Sequence, residues 1–267
     1  MAPSDGFHNT GLICGLQNEA RCLTAAGIQQ RIAISGARTA RAGEAARELL
    51  SAGAEALVSI GLAGGLDPRL GPGAVIVAER VIAWHQPLPS GRRRLRLGDL
   101  ARRPEDGEEE TASDAPIPEQ AETEFAADPD LQSQLLGVIG GKTWSGAVVG
   151  VDQAVRSQDQ KLGLFAKTTA LACDMESHAV AEAARDADVP FVVLRIVSDP
   201  SNRYIPEAAI AGVTAAGGVS LGAVLRGVAI RPWDLPELLS LAFDARIAFC
   251  ALRRVARRSA PLFRAVG

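Results

Sequence analysis

The sequence has little cysteine, no surplus of positive charge and no hydrophobic run of membrane-spanning length. Its four cysteines, Cys14, Cys22, Cys173 and Cys250, lack metal-ligand spacing. They are read as reduced thiols, mostly in apolar runs, with no chemistry assigned. Lys and Arg number 28 against 31 Asp and Glu, a net charge of −3. No global field therefore favours nucleic acid, and a small-molecule ligand is expected. Arg, Asp or Pro interrupts each apolar stretch before it reaches spanning length, so any membrane contact is expected to be peripheral. Met1 to Asn9 is polar and lacks a basic segment followed by an apolar one, which predicts a cytoplasmic protein without a secretory leader. Neither a G-x-G-x-x-G fingerprint nor a Gly-Lys-Ser/Thr phosphate loop accompanies the glycine-rich segment, and no internal repeat is evident.

What is present is a 267-residue chain, 47% hydrophobic and 22% charged, enough to bury the core of one domain. Short apolar runs ending in glycine or polar residues read as buried strands: Gly11–Leu16, Ile32–Gly36, Ala56–Ile60, Ala74–Ala78, Gly146–Val151 and Phe191–Leu194. Between them, Thr39–Ser51 carries Ala and Leu at helical spacing before Gly53, and Ala179–Ala187 is an Ala-rich helical run. The alternation predicts an α/β fold, a single domain whose mixed or mostly parallel central sheet is flanked by helices on both sides. A helix over Ala208–Arg226 is expected to cover the sheet, and Pro232-Trp233-Asp234-Leu235-Pro236 to begin a last helix.

The division predicted is a catalytic domain over 10–230 and a C-terminal helical tail over 231–267. An irregular excursion at 92–130 interrupts the domain. It holds the basic run Arg92-Arg93-Arg94-Leu95-Arg96 and the acidic Glu108-Glu109-Glu110, and is read as either a lid or a disordered segment.

Two carboxylates carry the first chemical signal. Glu176, in Cys173-Asp174-Met175-Glu176-Ser177, opens a helical run, and Asp199 follows the strand Phe191–Leu194. A carboxylate at the end of a buried strand is a candidate catalytic group, with turn or helix capping as the alternative. The segment Gly61-Leu62-Ala63-Gly64-Gly65-Leu66-Asp67-Pro68 is read as a glycine-rich turn whose backbone N–H groups can form a nest for an anion or ligand oxygens.

Val58-Ser59-Ile60-Gly61-Leu62-Ala63-Gly64-Gly65-Leu66, then Asp174-Met175-Glu176-Ser177, then Val192-Val193-Leu194-Arg195-Ile196-Val197-Ser198-Asp199 resemble, in order and spacing, the nucleoside phosphorylase/nucleosidase superfamily. The resemblance covers roughly Gly11 to Leu225 and implies cleavage of an N-glycosidic bond. It implies that Asp199 protonates the departing purine, that Glu176 accepts the ribose hydroxyls, that Met175 packs on the sugar and that Ser198 orients the acid or the base. Ala63, Gly64 and Val155 are implied as further substrate contacts. Glu19 aligns with the glutamate that positions attacking water in adenosine-thioether nucleosidases; by itself it reads as a solvated helix start. Ser35, Gly36, Arg38 and Gly65 are the alternative, a phosphate site, with inorganic phosphate as co-substrate. No other cofactor and no metal is expected. Where an aromatic is expected to stack on the purine stands Ala154, leaving Val155, Trp144 or Phe165 to grip the base. His85 and His178 are the remaining titratable candidates, with a structural histidine as the alternative for His178.

Within the superfamily, Gly64-Gly65-Leu66-Asp67-Pro68, Asp-Met-Glu-Ser followed by His178, and Pro232-Trp233-Asp234-Leu235-Pro236 look like the hopanoid-associated phosphorylases. That resemblance implies adenine release from a lipid-linked nucleoside, adenosylhopane, and an apolar channel at the ribose 5′ side. The tail residues Leu235, Leu238, Leu239, Ala242, Phe243, Ile247, Phe249 and Leu252, ending in Arg253-Arg254 and Arg257-Arg258, fit either a peripheral contact at the inner membrane or a helix packed on the domain or on another subunit. The superfamily also implies a homo-oligomer. Two other readings compete: a soluble methylthioadenosine/adenosylhomocysteine nucleosidase and a non-catalytic nucleoside-binding module.

Overall fold

Runs of Val, Ile and Leu form strands buried on both faces, as helix-covered sheets require. The protein's structure, a computed structural model, describes residues 7, 9–85, 88 and 123–263. Its strands are β1 (Thr10–Cys14), β2 (Arg31–Ile34), β3 (Ala56–Gly65), β4 (Val75–Trp84), β5 (Thr123–Ala126), β6 (Thr143–Val151), β7 (Ala172–Asp174) and β8 (Phe191–Asp199). Between and after them come α1 (Gln17–Ala25), α2 (Thr39–Ser51), α3 (Pro129–Ile139), α4 (Gln158–Thr168), α5 (Ser177–Asp186), α6 (Glu207–Ala211), α7 (Leu221–Ile230) and α8 (Leu235–Ser259).

The strands form one mixed sheet in the order β2-β1-β3-β7-β6-β4-β5, and β8 pairs with both β3 and β4. Pairing therefore runs in a ring: β3 with β8, β8 with β4, β4 with β6, β6 with β7, and β7 back to β3. The ring closes because β3 and β4 are long and irregular. The register of β3 shifts between Ala63 and Gly64, and that of β4 between Ala78 and Arg80, the kind of bulge that bends a strand.

Alternation along the strands divides the core. Val58, Ile60, Val192 and Leu194 join Leu23 of α1, Leu131 and Leu135 of α3 and Leu252 of α8. Leu57 and Val193 join Ala42 and Ala46 of α2 and Val180 and Ala183 of α5. The mixed sheet flanked by helices thus agrees with the pattern expected from the sequence.

Several expectations change. Gly61–Gly65 is not a turn: β3 runs through it, with Gly64 opposite Cys173 and Gly65 opposite Ala172. These small residues make no clash, and ladders hold the strand on both edges. The expected helix over 208–226 breaks at Gly212. Val213 bridges Val219 there, Gly217 takes φ 75°, and the Ser220 side chain caps α7 by accepting the Ala223 N–H. No residue of α7 is buried, so it does not cover the sheet. Within the proposed excursion, Thr123–Ala126 form β5, antiparallel to β4, and α3 begins at Pro129; residues 92–122 lie outside the described residues. The C-terminal helix is half exposed and half core. Leu235, Leu239 and Phe243 are exposed, whereas Ala248, Ala251, Leu252, Val255 and Ala256 are buried. Among the described residues no helix is long and apolar enough to cross a membrane.

Candidate active site

Parallel strands bring their carboxyl ends to one rim, where α/β sheets place ligands. Glu19 sits in the first turn of α1 after β1, Ser35 follows β2, Asp199 closes β8, and Glu176 lies between β7 and α5. A cavity of about 250 Å³ opens among them, lined by Gly15, Glu19, Ala63, Gly64, Ala154, Val155, Met175, Glu176, Ser198 and Asp199, with Leu16, Leu62, Val151, Ile205 and Val213 as apolar wall.

Glu19 is only 2% exposed. Its Oε2 accepts the Leu16 N–H at 2.8 Å and its Oε1 the Leu62 N–H at 2.8 Å. The first bond is the backward reach of a helix-start glutamate, so the residue is both a helix start and a buried carboxylate. Burial pushes its pKa up, against the pull of the Leu62 and Leu16 amides.

Glu176 is 6% exposed and receives the Ser35 hydroxyl at Oε1, 3.4 Å away. The guanidinium of Arg195 lies 3.5 Å from its Oε2. Burial pushes the Glu176 carboxyl up to about 8; Arg195 opposes this, while Asp174 and Glu19 add to it.

Arg195 is a buried cation in the middle of an apolar strand, and it is met by a full set of acceptors. Its Nε donates to Asp174 Oδ2 at 2.8 Å and its Nη2 to Ser59 Oγ at 2.6 Å and Ser177 Oγ at 3.1 Å. Asp174 Oδ1 accepts the amides of Glu176 and Ser177, both at 2.7 Å. Asp174 thus ties the start of α5, and with it Glu176, to β8. Burial disfavours its charge, but Arg195 and the Ser177 hydrogen bonds prevail and hold the carboxyl below its usual range.

Asp199 is 5% exposed. Ser198 Oγ lies 2.6 Å from its Oδ1 and 3.3 Å from the Ala63 carbonyl. The ammonium of Lys161, from α4, sits 2.7 Å from its Oδ2. Burial raises the Asp199 pKa, and Lys161 pulls it back. Lys161 was not foreseen: it stands between Gln160 and exposed Leu162 on a helix the sequence reading did not mark, and carries no local signal of burial. The sequence reading also gave Arg195 and Asp174 no role, although an Arg within an apolar strand and an Asp just ahead of a helix start are legible signals.

Of the other residues singled out, Ala63, Gly64, Val155, Met175 and Ser198 line the cavity. Of the residues suggested for phosphate, none lines the cavity. Ser35 is spent on Glu176, Gly65 is paired within the sheet, and Gly36 and exposed Arg38 do not line the cavity. Gly64 and Gly65 form no nest, because they are strand residues. Trp144 lies under Arg69 and Lys142, and Phe165 packs beside the Leu66 and Trp84 cluster, so neither lines the cavity. His178 is buried against Asp152, Nε2 to Oδ1 3.2 Å, and His85 is half exposed near the same carboxylate. Among the described residues, no Lys, Arg or His lines the cavity.

A model of the phosphorylase superfamily matches residues 16–220. A 5′-methylthioadenosine/S-adenosylhomocysteine nucleosidase from Staphylococcus haemolyticus is 27% identical over 150 residues, 55% of this chain and 57% of that protein. The match thus spans little more than half the length of this relative. The solved S-adenosylhomocysteine nucleosidase of Streptococcus pyogenes, bound to 5-methylthiotubericidin, superposes with a TM-score of 0.58 at 17% identity, covering 93% of this chain and 95% of its own. The futalosine hydrolase of Helicobacter pylori gives 0.57 at 17%, covering 92% and 96%. At such identities these two likenesses speak for the fold.

Proposed function

The chain belongs to the phosphorylase superfamily, and from that premise we propose that it cleaves the N-glycosidic bond of an adenine nucleoside and releases adenine. The observation that carries the proposal is the meeting of three buried carboxylates, Glu19, Glu176 and Asp199, at one cavity of nucleoside size. Asp199 protonates a purine ring nitrogen as the C1′–N bond breaks and its electron pair leaves with the base. Glu176 accepts the sugar hydroxyls and faces the positive charge that develops on the ribose. Glu19 takes the proton of the water that attacks C1′; a raised pKa makes a carboxylate a better base. Met175 packs on the sugar, and Val155 with Ala154 makes an aliphatic rather than aromatic wall for the base.

Hydrolysis is favoured over phosphorolysis. No Lys, Arg or His stands among the described lining residues to meet the charge of a phosphate dianion.

For the substrate we favour a lipid-linked adenosine of the adenosylhopane kind. Val213 in the cavity wall is bridged to Val219, 63% exposed, and the chain then presents exposed Leu221, Leu225, Ile230 and Trp233. Such an apolar path suits a hydrocarbon leading from the site to a membrane surface or to a second copy of the chain. A methylthioadenosine/adenosylhomocysteine nucleosidase is the second reading, favoured by the Staphylococcus haemolyticus relative. Adenine release from adenosylhopane and from methylthioadenosine, each with and without phosphate, separates them. Preference for the hopane supports the lipid reading, preference for methylthioadenosine the second, and dependence on phosphate rejects hydrolysis. Flotation with anionic liposomes, lost in Trp233→Glu, tests the membrane contact.

A further inference from the structure

Lys161 has no exposed surface and is, after Arg195, the largest fully buried side chain of the described residues. Its Nζ lies 2.7 Å from Asp199 Oδ2, 3.0 Å from the Pro200 carbonyl, 3.1 Å from that of Arg203 and 3.3 Å from that of Asp199 itself. All four partners are oxygen acceptors. An ammonium offers three protons to such a shell, whereas a neutral amine would turn its lone pair on oxygen, so the surroundings fit the cation. Around Asp199 the other facing groups are Cys173 of β7, whose thiol burial keeps protonated, and Asp244 of α8, which is paired with Arg203 at 2.7 Å. Lys161 is thus the cation that Asp199 meets directly.

We infer that Lys161 is a positioning residue for Asp199: its ammonium occupies Oδ2 and so confines the transferable proton to Oδ1. The inference rests on the acid role proposed above. The second contact of Ser198 completes the device. With Asp199 protonated, Oδ1–H donates to Ser198 Oγ and the serine hydroxyl donates to the Ala63 carbonyl, 3.3 Å away. With Asp199 ionised, the serine hydroxyl donates to Oδ1, 2.6 Å away. Both states use the same heavy-atom positions. In the reaction Oδ1–H passes its proton to the base, which also takes the electron pair of the broken C1′–N bond. The new carboxylate is left between Lys161 and Ser198. The site is reset when the proton Glu19 took from water is lost to solvent and Asp199 regains one.

A lysine that only pins the Pro200–Arg203 loop would show the same distances, so the test must read the proton. Adenine release by wild type, Lys161→Met and Lys161→Arg is followed against pH, beside release of nitrophenol from p-nitrophenyl riboside, a leaving group that needs no proton. In Lys161→Met the loss of the positive neighbour should move the basic limb of adenine release up by about one to three pH units. Its maximum should fall about 100-fold, with nitrophenol release little changed; Lys161→Arg should restore the limb towards wild type. Equal losses with both substrates, or an unmoved limb, would overturn the inference and leave Lys161 a structural pin. Should Lys161→Met fail to fold, Lys161→Gln, whose amide donates to the same carbonyls without charge, carries the comparison. Nitrophenol release without adenine release in the wild type would remove the acid role of Asp199, and the inference with it.

Discussion

Gly15 makes room for Glu176. A Cβ on Gly15 would fall 2.6 Å from Glu176 Oε1 and 3.4 Å from Glu19 Oε2. Both carboxylates are buried and hydrogen-bonded, so neither can swing into solvent. Gly15→Ala is therefore expected to displace Glu176 and lower kcat/KM on the order of 100-fold, as small misplacements in a site do. Steady-state adenine release checks it, and a loss under threefold would mean that the carboxylate position does not matter.

The acid and the base make opposite demands on pH. In the roles proposed above, Glu19 must be ionised to take a proton and Asp199 protonated to give one, and burial raises both. A bell-shaped pH profile of kcat/KM is expected, whose limbs are macroscopic values of the interacting groups. Glu19→Gln should remove the acidic limb and cost about 100-fold, and added phosphate should not restore the rate. Recovery with phosphate would make phosphate the nucleophile.

Glu176 also ties stability to pH. Its carboxyl rises from an ordinary 4.5 to about 8 on folding. Between those values the folded protein keeps a proton that the unfolded chain has released. The stabilisation is full below about pH 4.5, shrinks as pH rises and is gone above about pH 8, with a slope of up to about 1.4 kcal/mol per pH unit. Glu19 and Asp199, raised as well, act in the same direction. Urea denaturation across this range should show Glu176→Gln with a shallower decline than wild type; an identical slope would exclude the shift.

Arg195 and Asp174 form a buried pair that fixes the start of α5, and breaking one side leaves a charge without its partner. Arg195→Met is expected to destabilise the fold by about 3–5 kcal/mol, measured by denaturant unfolding. A change below about 1 kcal/mol would show that the pair contributes little to holding Glu176 in place.

The strands were legible because Val, Ile and Leu runs such as Phe191–Leu194 need burial on both faces, and the carboxylates because Asp199 and Glu176 stand at element ends. The glycine-rich segment misled for a physical reason. Gly64 has no Cβ because Asp199 Oδ2 would lie 3.1 Å from it, and that meaning depends on a partner more than a hundred residues away. The helix expected over 208–226 failed because its local Ala content was outweighed by Gly212, Gly217 and Gly218. Lys161 was invisible for want of local pattern: only the fold brings Asp199 and the Pro200 and Arg203 carbonyls to its ammonium.

The proposed delivery by Asp199 of the proton on which adenine departure depends is tested most directly by removing that proton. Adenine release should be measured in phosphate-free buffer for wild type and Asp199→Asn, with methylthioadenosine and adenosylhopane as substrates. Release by the wild type from at least one of them is expected, with a loss of about 100- to 10,000-fold in the variant and the fold intact by circular dichroism. Near-normal release by Asp199→Asn, or none by the wild type, would contradict the proposed role of Asp199.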